Sequence, residues 1–232
     1  MKTIGVIGGM SWESTATYYR YLNQGVKQAK GGLHSAKVVI NSVDFAEVES
    51  LQRQGEWHKS GELLASAARS LQSAGADFIL IATNTMHKVA SQIEQAVDIP
   101  LLHIADATGE ALVEQGITTV GLLGTAFTME QSFYKQRLTE KFGIEVLVPN
   151  GVQRKLVHDV IYQELCLGKV HQRSKDDYCT IIEELASNGA QGVILGCTEI
   201  GLLVEQTDSR VPLFDTVAIH ARAAVKEALS IE

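Results

Sequence analysis

The sequence predicts an α/β protein made of two similar halves, and two observations carry that expectation. Apolar runs of strand length alternate with segments of helical spacing along the 232 residues, a pattern that implies parallel sheets with helices on both faces. Three short motifs of the first half also recur, in the same order, 112 to 116 residues further along.

The strand-like runs lie near 3–8, 37–41, 77–82 and 100–104, and again near 118–123, 144–148, 191–196 and 211–214. Between them Leu63, Leu64, Ala67 and Leu71, and later Leu156, Val157, Val160 and Ile161, repeat at the spacing of a helix face. The expected division is a first domain of 1–103 plus 214–232 and a second of 104–213, with the helix near 216–230 returning to the first half.

The recurrences are specific in register. Thr3-Ile4-Gly5-Val6-Ile7-Gly8 answers to Thr119-Val120-Gly121-Leu122-Leu123-Gly124, and Pro100-Leu101-Leu102-His103 to Pro212-Leu213-Phe214-Asp215. Gly75-Ala76 through Leu80-Ile81-Ala82-Thr83-Asn84-Thr85 aligns without a gap on Gly189-Ala190 through Ile194-Leu195-Gly196-Cys197-Thr198-Glu199. Any parallel α/β protein repeats apolar strands followed by polar turns, so each pair alone says little; three in order argue for duplication.

The third pair sets Thr83 on Cys197. In each copy a buried-strand run ends in a small residue, and a nucleophile-type side chain stands where the next helix should begin. Ligands of open parallel sheets bind outside the carboxyl ends of strands, where loops feed helix N-termini. A thiol at a helix start feels unpaired N–H groups and the positive end of the dipole, so Cys197 is expected to reach its thiolate near neutral pH and act as a base. Buried packing is the commoner fate of cysteine. The polar turn Thr198-Glu199 sets Cys197 apart, whereas Cys166 and Cys179 sit in helical patterns and read as packing residues.

Composition narrows the function. With 45% hydrophobic and 20% charged residues, the chain can bury a full core. A net charge of -7 without a basic cluster argues against nucleic acid or an anionic membrane as partner. The longest uninterrupted apolar run, Phe78 to Ala82, is far short of a bilayer span, and a strand stands at the N-terminus in place of a signal segment, so a cytoplasmic location is expected. Three cysteines without metal-ligand or Cys-x-x-Cys spacing indicate free thiols, no disulfide framework and no metal site. Gly5-Val6-Ile7-Gly8-Gly9 lacks the Gly-x-Gly-x-x-Gly spacing of a dinucleotide loop. A small molecule is the expected partner.

Ile4-Gly5-Val6-Ile7-Gly8-Gly9-Met10, Thr83-Asn84-Thr85-Met86-His87 and Gly196-Cys197-Thr198-Glu199 together resemble the aspartate/glutamate racemase family, which also includes hydantoin racemases, maleate isomerases and arylmalonate decarboxylases. The resemblance covers the whole chain. It implies two similar parallel-sheet, flavodoxin-like α/β domains related by a pseudo-twofold axis with the active site between them, and it favours a homodimer. It further implies amino-acid racemisation with no cofactor, neither pyridoxal phosphate nor metal: one side chain removes the α-proton and another supplies a proton to the opposite face. Cys197 and Thr83 match the catalytic positions, the C-terminal group facing the L-enantiomer and the N-terminal group the D-enantiomer.

An α-hydrogen is weakly acidic, so its removal needs a base in contact and donors aimed at the carboxylate as it gains enediolate character. Backbone N–H groups near Asn84, Thr85 and Thr198 are candidates for that role. Met10 and Thr125 resemble the family's substrate-contacting positions, and Gln52 and Glu199 complete the expected substrate-binding set. The bland alternatives are a packing role for Met10, a helix cap for Thr125 and a hydrogen-bonded structural histidine at His87; for His87 the structural role is preferred.

Two departures from the aspartate racemase pattern bear on chemistry. Thr83 stands where a second cysteine is usual, as in the family branch that carries Thr-Asn-Thr-Met-His; a hydroxyl can deliver a proton, but its alkoxide is too basic to be populated at neutral pH. Cys166 stands where that pattern has a lysine for the substrate's distal carboxylate, and Lys169 is turned to another helix face. Broad specificity is therefore expected. The alternatives are an aspartate/glutamate-specific racemase, a single-thiol decarboxylase or cis-trans isomerase, and an amino-acid sensor without turnover.

Overall fold

Ile4–Gly8 (β1) is buried at all five positions, as befits the central strand of a parallel sheet whose two faces are both covered. The computed structural model describes residues 1–230. In it β1 pairs in parallel with Val38–Ser42 (β2) and Phe78–Ile81 (β3), giving the order β2-β1-β3. A second parallel sheet holds Thr119–Gly124 (β4), Glu145–Leu147 (β5), Val193–Gly196 (β6) and Leu213–Asp215 (β7) in the order β5-β4-β6-β7. The fold is α/β, with two parallel sheets as the alternation predicts.

The chain forms two compact units, Met1–Ile104 with the segment from Val217 onward, and Ala105–Thr216. The return to the first unit thus falls after Thr216, a few residues beyond the expected boundary at 213/214. Leu213–Asp215 pairs with β6, and the Thr216 hydroxyl donates to the Leu195 carbonyl at 2.9 Å, so both belong to the second sheet. Helices Trp12–Lys30 (α1), Phe45–Gln54 (α2), Trp57–Ser73 (α3) and Ala90–Glu94 (α4) lie in the first unit. Ile104–Glu114 (α5) carries the chain into the second, which holds Ala126–Glu130 (α6), Ser132–Phe142 (α7), Gly151–Gln163 (α8) and Gln172–Ser187 (α9). Thr216–Leu229 (α10) leads back. Among the described residues no helix is long and apolar enough to cross a membrane.

The duplication extends to individual hydrogen bonds. Ile79 N–H donates to the Pro100 carbonyl at 2.9 Å, and its counterpart Val193 N–H donates to Pro212 at 2.9 Å. Asp77 N–H reaches Thr3 at 2.8 Å, as Gln191 N–H reaches Thr119 at 2.9 Å. The expected strand near 100–104 is nevertheless reduced to one parallel bridge between Ile79 and Leu101. Leu102 N–H still donates to the Ile79 carbonyl at 2.9 Å, so the segment keeps part of the pairing that its counterpart Leu213–Asp215 makes with β6 before α5 starts at Ile104.

Alternation along β1 divides the first unit's core into two faces. Ile4 and Val6 pack with Tyr18, Leu22 and Val26 of α1 and with Val217, Ala221 and Ala224 of α10. Ile7 packs on the other side with Leu64, Ala68 and Leu71 of α3. His220 ties the first face together: its Nε2–H donates to the Leu102 carbonyl at 2.8 Å, and its Nδ1 accepts from the Tyr18 hydroxyl at 2.8 Å. Burial holds this imidazole neutral, with its pKa lowered to about 4. In the unfolded chain histidine titrates near about 6.5. The unfolded state therefore binds the extra proton first on acidification, and stability falls as pH drops through this window, by up to about 3 kcal/mol. Urea unfolding at about pH 7 and about pH 4.5 checks this. His220→Leu is less stable at the higher pH, because two buried polar groups lose their partner, but it loses less stability than the parent on acidification.

Candidate active site

In the first unit the site begins where β1 ends. Gly8 and Gly9 have no substitute there: a Cβ on Gly8 would lie 2.5 Å from Thr15 Cγ2, and Gly9 has a φ of +92° with the Val43 carbonyl oxygen 2.1 Å from where its Cβ would be. The Thr15 hydroxyl accepts from Gly9 N–H at 2.8 Å, which fixes the turn into Met10. Met10 itself is buried in the apolar cluster with Ile7, Val48 and Met86, the packing role named as its bland alternative.

The neighbouring strand β3 ends one residue before Ala82, whose carbonyl accepts from the Ser14 hydroxyl at 2.9 Å. Thr83 follows, half-buried, with Asn84 and Thr85 buried behind it. The chain then makes a 3₁₀ turn over Thr85–Val89 before α4. The buried amide of Gln52 donates to Met86 Sδ at 2.9 Å, which brings α2 against this turn. His87 Nδ1–H donates to the Thr83 carbonyl at 2.8 Å.

In the second unit β4 ends at Gly124 beside Gly196, its register partner at the end of β6. Thr125 caps α6, its side-chain oxygen accepting from Thr128 N–H at 3.3 Å. Sequence reasoning assigns no role to His158, yet its Nδ1 accepts from the N–H of Ala126, the residue after Thr125, at 3.2 Å. Burial lowers its pKa. The available signal was the spacing of His158, Tyr162 and Cys166 along α8 and the turn that follows it.

Cys197 follows Gly196 and donates its S–H to Glu199 Oε2 at 3.1 Å. The Thr198 hydroxyl donates to the same carboxylate oxygen, and Glu199 is only 5% exposed. The expected low thiol pKa is corrected here. Desolvation of the thiol and the Glu199 charge push Cys197 well above the ordinary cysteine value, with Cys166 adding to the shift. No α-helix starts at Cys197 to supply a compensating dipole; a 3₁₀ turn of three residues, Ile200–Leu202, follows instead. Cys166, read from its helical pattern as packing, sits in the 3₁₀ turn Leu165–Leu167 after α8, close enough to Cys197 to be felt electrostatically.

Each unit thus presents a proton-bearing side chain immediately beyond a strand of its parallel sheet, a thiol hydrogen-bonded to a carboxylate in one and a hydroxyl in the other. Among the described residues no group of three or more His, Cys, Asp or Glu is arranged to hold a metal. The sequence profile of the Asp/Glu/hydantoin racemase family matches residues 7–224. The chain belongs to that family. It is 25% identical over 237 aligned residues to the broad specificity amino-acid racemase RacX of Bacillus subtilis (strain 168), covering 99% of both chains. An Asp/Glu racemase candidate of Yersinia pestis is 56% identical, with a TM-score of 0.94 over 99% of this chain and 100% of that one. An aspartate racemase homologue of Pyrococcus horikoshii OT3 is 35% identical, with a TM-score of 0.85 over the same shares. The protein is accordingly an enzyme of the racemase class.

The electrostatics of the thiol are testable without substrate. Glu199→Gln removes the negative charge that faces Cys197 while keeping an oxygen that can accept the S–H. The thiol pKa then falls, and Cys197 alkylation by iodoacetamide, followed by peptide mass spectrometry across a pH series, reaches its half-maximal rate at lower pH than in the parent.

Proposed function

We propose that the protein interconverts L- and D-amino acids with broad side-chain tolerance, by acid/base proton transfer at the α-carbon and without pyridoxal phosphate. The observation that carries this reading is the duplicated strand end, which gives Thr83 and Cys197 equivalent places in two equivalent folds. The whole-length likeness to a broad-specificity racemase supports the reaction and its breadth.

Cys197 works on the L-enantiomer. The resting residue is a thiol, so its own proton must leave before the α-proton can be taken, and Glu199 Oε2 at 3.1 Å is the acceptor in place. The S–H proton passes to Glu199, the thiolate takes the α-proton, and the carbanion is held as an enediolate by backbone donors of the two turns. The Thr83 hydroxyl gives its proton to the opposite face. Glu199 then loses its proton to water and Thr83 regains one from water, which restores the starting state.

Incubation of a panel of L-amino acids in deuterated water, followed by chiral separation and loss of the α-proton NMR signal, tests the reading. A racemase exchanges the α-proton and forms the D-enantiomer, whereas a binding protein does neither. Cys197→Ser lowers turnover by about 10²–10⁴-fold in a folded protein; near-parental turnover would sink the assignment.

Side-chain selectivity follows from Cys166. If a cation at this position normally pairs with a distal carboxylate, its absence explains tolerance of neutral side chains. Cys166→Lys then raises the preference for aspartate or glutamate over neutral amino acids, since a desolvated charge pair is worth about 2–5 kcal/mol when one member is truncated. The ratio of kcat/KM for aspartate and a neutral amino acid measures it, and an unchanged ranking would assign the selectivity to another residue.

A further inference from the structure

The alignment of the two strand ends, continued past Thr85 and Glu199, sets His87 on Gly201. The two half-sites therefore hold their reactive residues by different means. In the second unit the residue two places on, Glu199, contacts the thiol itself. In the first, the residue four places on contacts the backbone. His87 is 3% exposed; its Nδ1–H donates to the Thr83 carbonyl at 2.8 Å, and its Nε2 accepts from the backbone N–H of Ile104 at 3.2 Å. A carbonyl can only accept and an N–H can only donate, so the ring is neutral and in the Nδ1–H tautomer. The His103 ring lies against it, 4.4 Å between centroids.

We propose that His87 is the positioning residue for Thr83: a buried imidazole clamp that fixes the carbonyl of the proton-donating residue to the first residue of α5. The inference rests on the racemase reading above. The carbonyl direction sets ψ of Thr83, and with it the direction in which the hydroxyl leaves the chain. On its other side the same segment is held by Ala82, whose N–H donates to the Ile7 carbonyl at 2.9 Å and whose carbonyl accepts from Ser14. Thr83 is thus gripped on both sides through its backbone, which leaves its side chain to the substrate. The contact runs through the Thr83 carbonyl, so His87 acts on the reacting hydroxyl by placing it.

The test uses His87→Phe, which keeps an aromatic ring and loses both bonds, and His87→Gln, whose amide can donate to Thr83 and accept from Ile104. Each is incubated with an L-amino acid in deuterated water, and two rates are read: α-deuteration of the residual L-enantiomer, which needs Cys197, and formation of the D-enantiomer, which also needs Thr83. His87→Phe lowers the ratio of inversion to deuteration by about 10²-fold, the scale on which a misplacement near 1 Å acts, and His87→Gln recovers most of it. A role confined to stability would lower both rates together, and that result, or an unchanged ratio, overturns the proposal. Should His87→Phe fail to fold, the imidazole nitrogen NMR shifts of the parent decide: the Nδ1–H tautomer supports the clamp, and the Nε2–H tautomer or an imidazolium overturns it. A parent protein that exchanges the α-proton of no amino acid overturns the racemase reading itself, an outcome distinct from any behaviour of the variants.

Discussion

Parallel pairing of β1 with β3, and of β4 with β6, is the constraint on which the rest of the structure depends. Parallel strands end on the same edge, so the register Ile7 to Ile81 and Gly124 to Gly196 sets the glycine turn of one strand beside the residue, Thr83 or Cys197, that follows the other. Those turns must then be made by residues that leave room. The Cβ that Gly8 lacks would strike Thr15, and the one that Gly196 lacks would lie 2.8 Å from the Leu123 carbonyl. The backbone alone delivers Thr83 and Cys197 to strand ends, before any side-chain interaction is considered.

What the side chains add is different in the two units. Cys197 is desolvated beside a carboxylate, an environment that penalises the thiolate in the resting state but supplies an acceptor for its proton. A low-pKa thiolate would be a weaker base toward a carbon acid, because proton affinity and pKa move together. In the proposed reaction, raising the pKa and pairing the thiol with Glu199 keeps the base strong and confines deprotonation to the moment when substrate can use it. Thr83 has no such electrostatic partner in the duplicated position, where Thr85 stands against Glu199. In the proposed reaction its hydroxyl serves as an acid, and what it requires is direction.

The duplication was legible because strands that pair identically must repeat small and apolar residues in the same places, and the matched bonds of Ile79 and Val193 are the structural form of that repeat. Apolar Leu101 and Leu102 suit a strand as well as a helix entry, and the segment near 100–104 keeps one bridge to Ile79 where its counterpart Leu213–Asp215 keeps a ladder. The direction of the Cys197 shift was hidden for a related reason. Sequence shows a polar turn after a strand, but it does not show that the turn is a short 3₁₀ segment or that the Glu199 side chain folds back onto the thiol. Cys166 had a helical pattern around it, and only its position after the end of α8 brings it near Cys197. The structural role that the sequence favours for His87 agrees with its two backbone bonds; spacing alone does not identify the carbonyl and the N–H that it joins.

The chemical asymmetry of the pair has a limit set by thermodynamics. Enantiomers have equal free energy in an achiral solvent, so kcat/KM must be the same for the two directions of a racemisation, whichever side chain initiates each. A thiol with a neighbouring carboxylate and a lone hydroxyl therefore cannot make one direction more efficient at low substrate. They can differ only in how kcat and KM divide that common value. Abstraction of the α-proton of the D-enantiomer would ask Thr83 to act as a base from its hydroxyl form, with a high barrier from the bound complex, so a low kcat in that direction must be matched by a proportionately low KM. The hydroxyl is thus compatible with a reversible racemase, and its signature lies in how tightly the D-enantiomer is held while it reacts slowly.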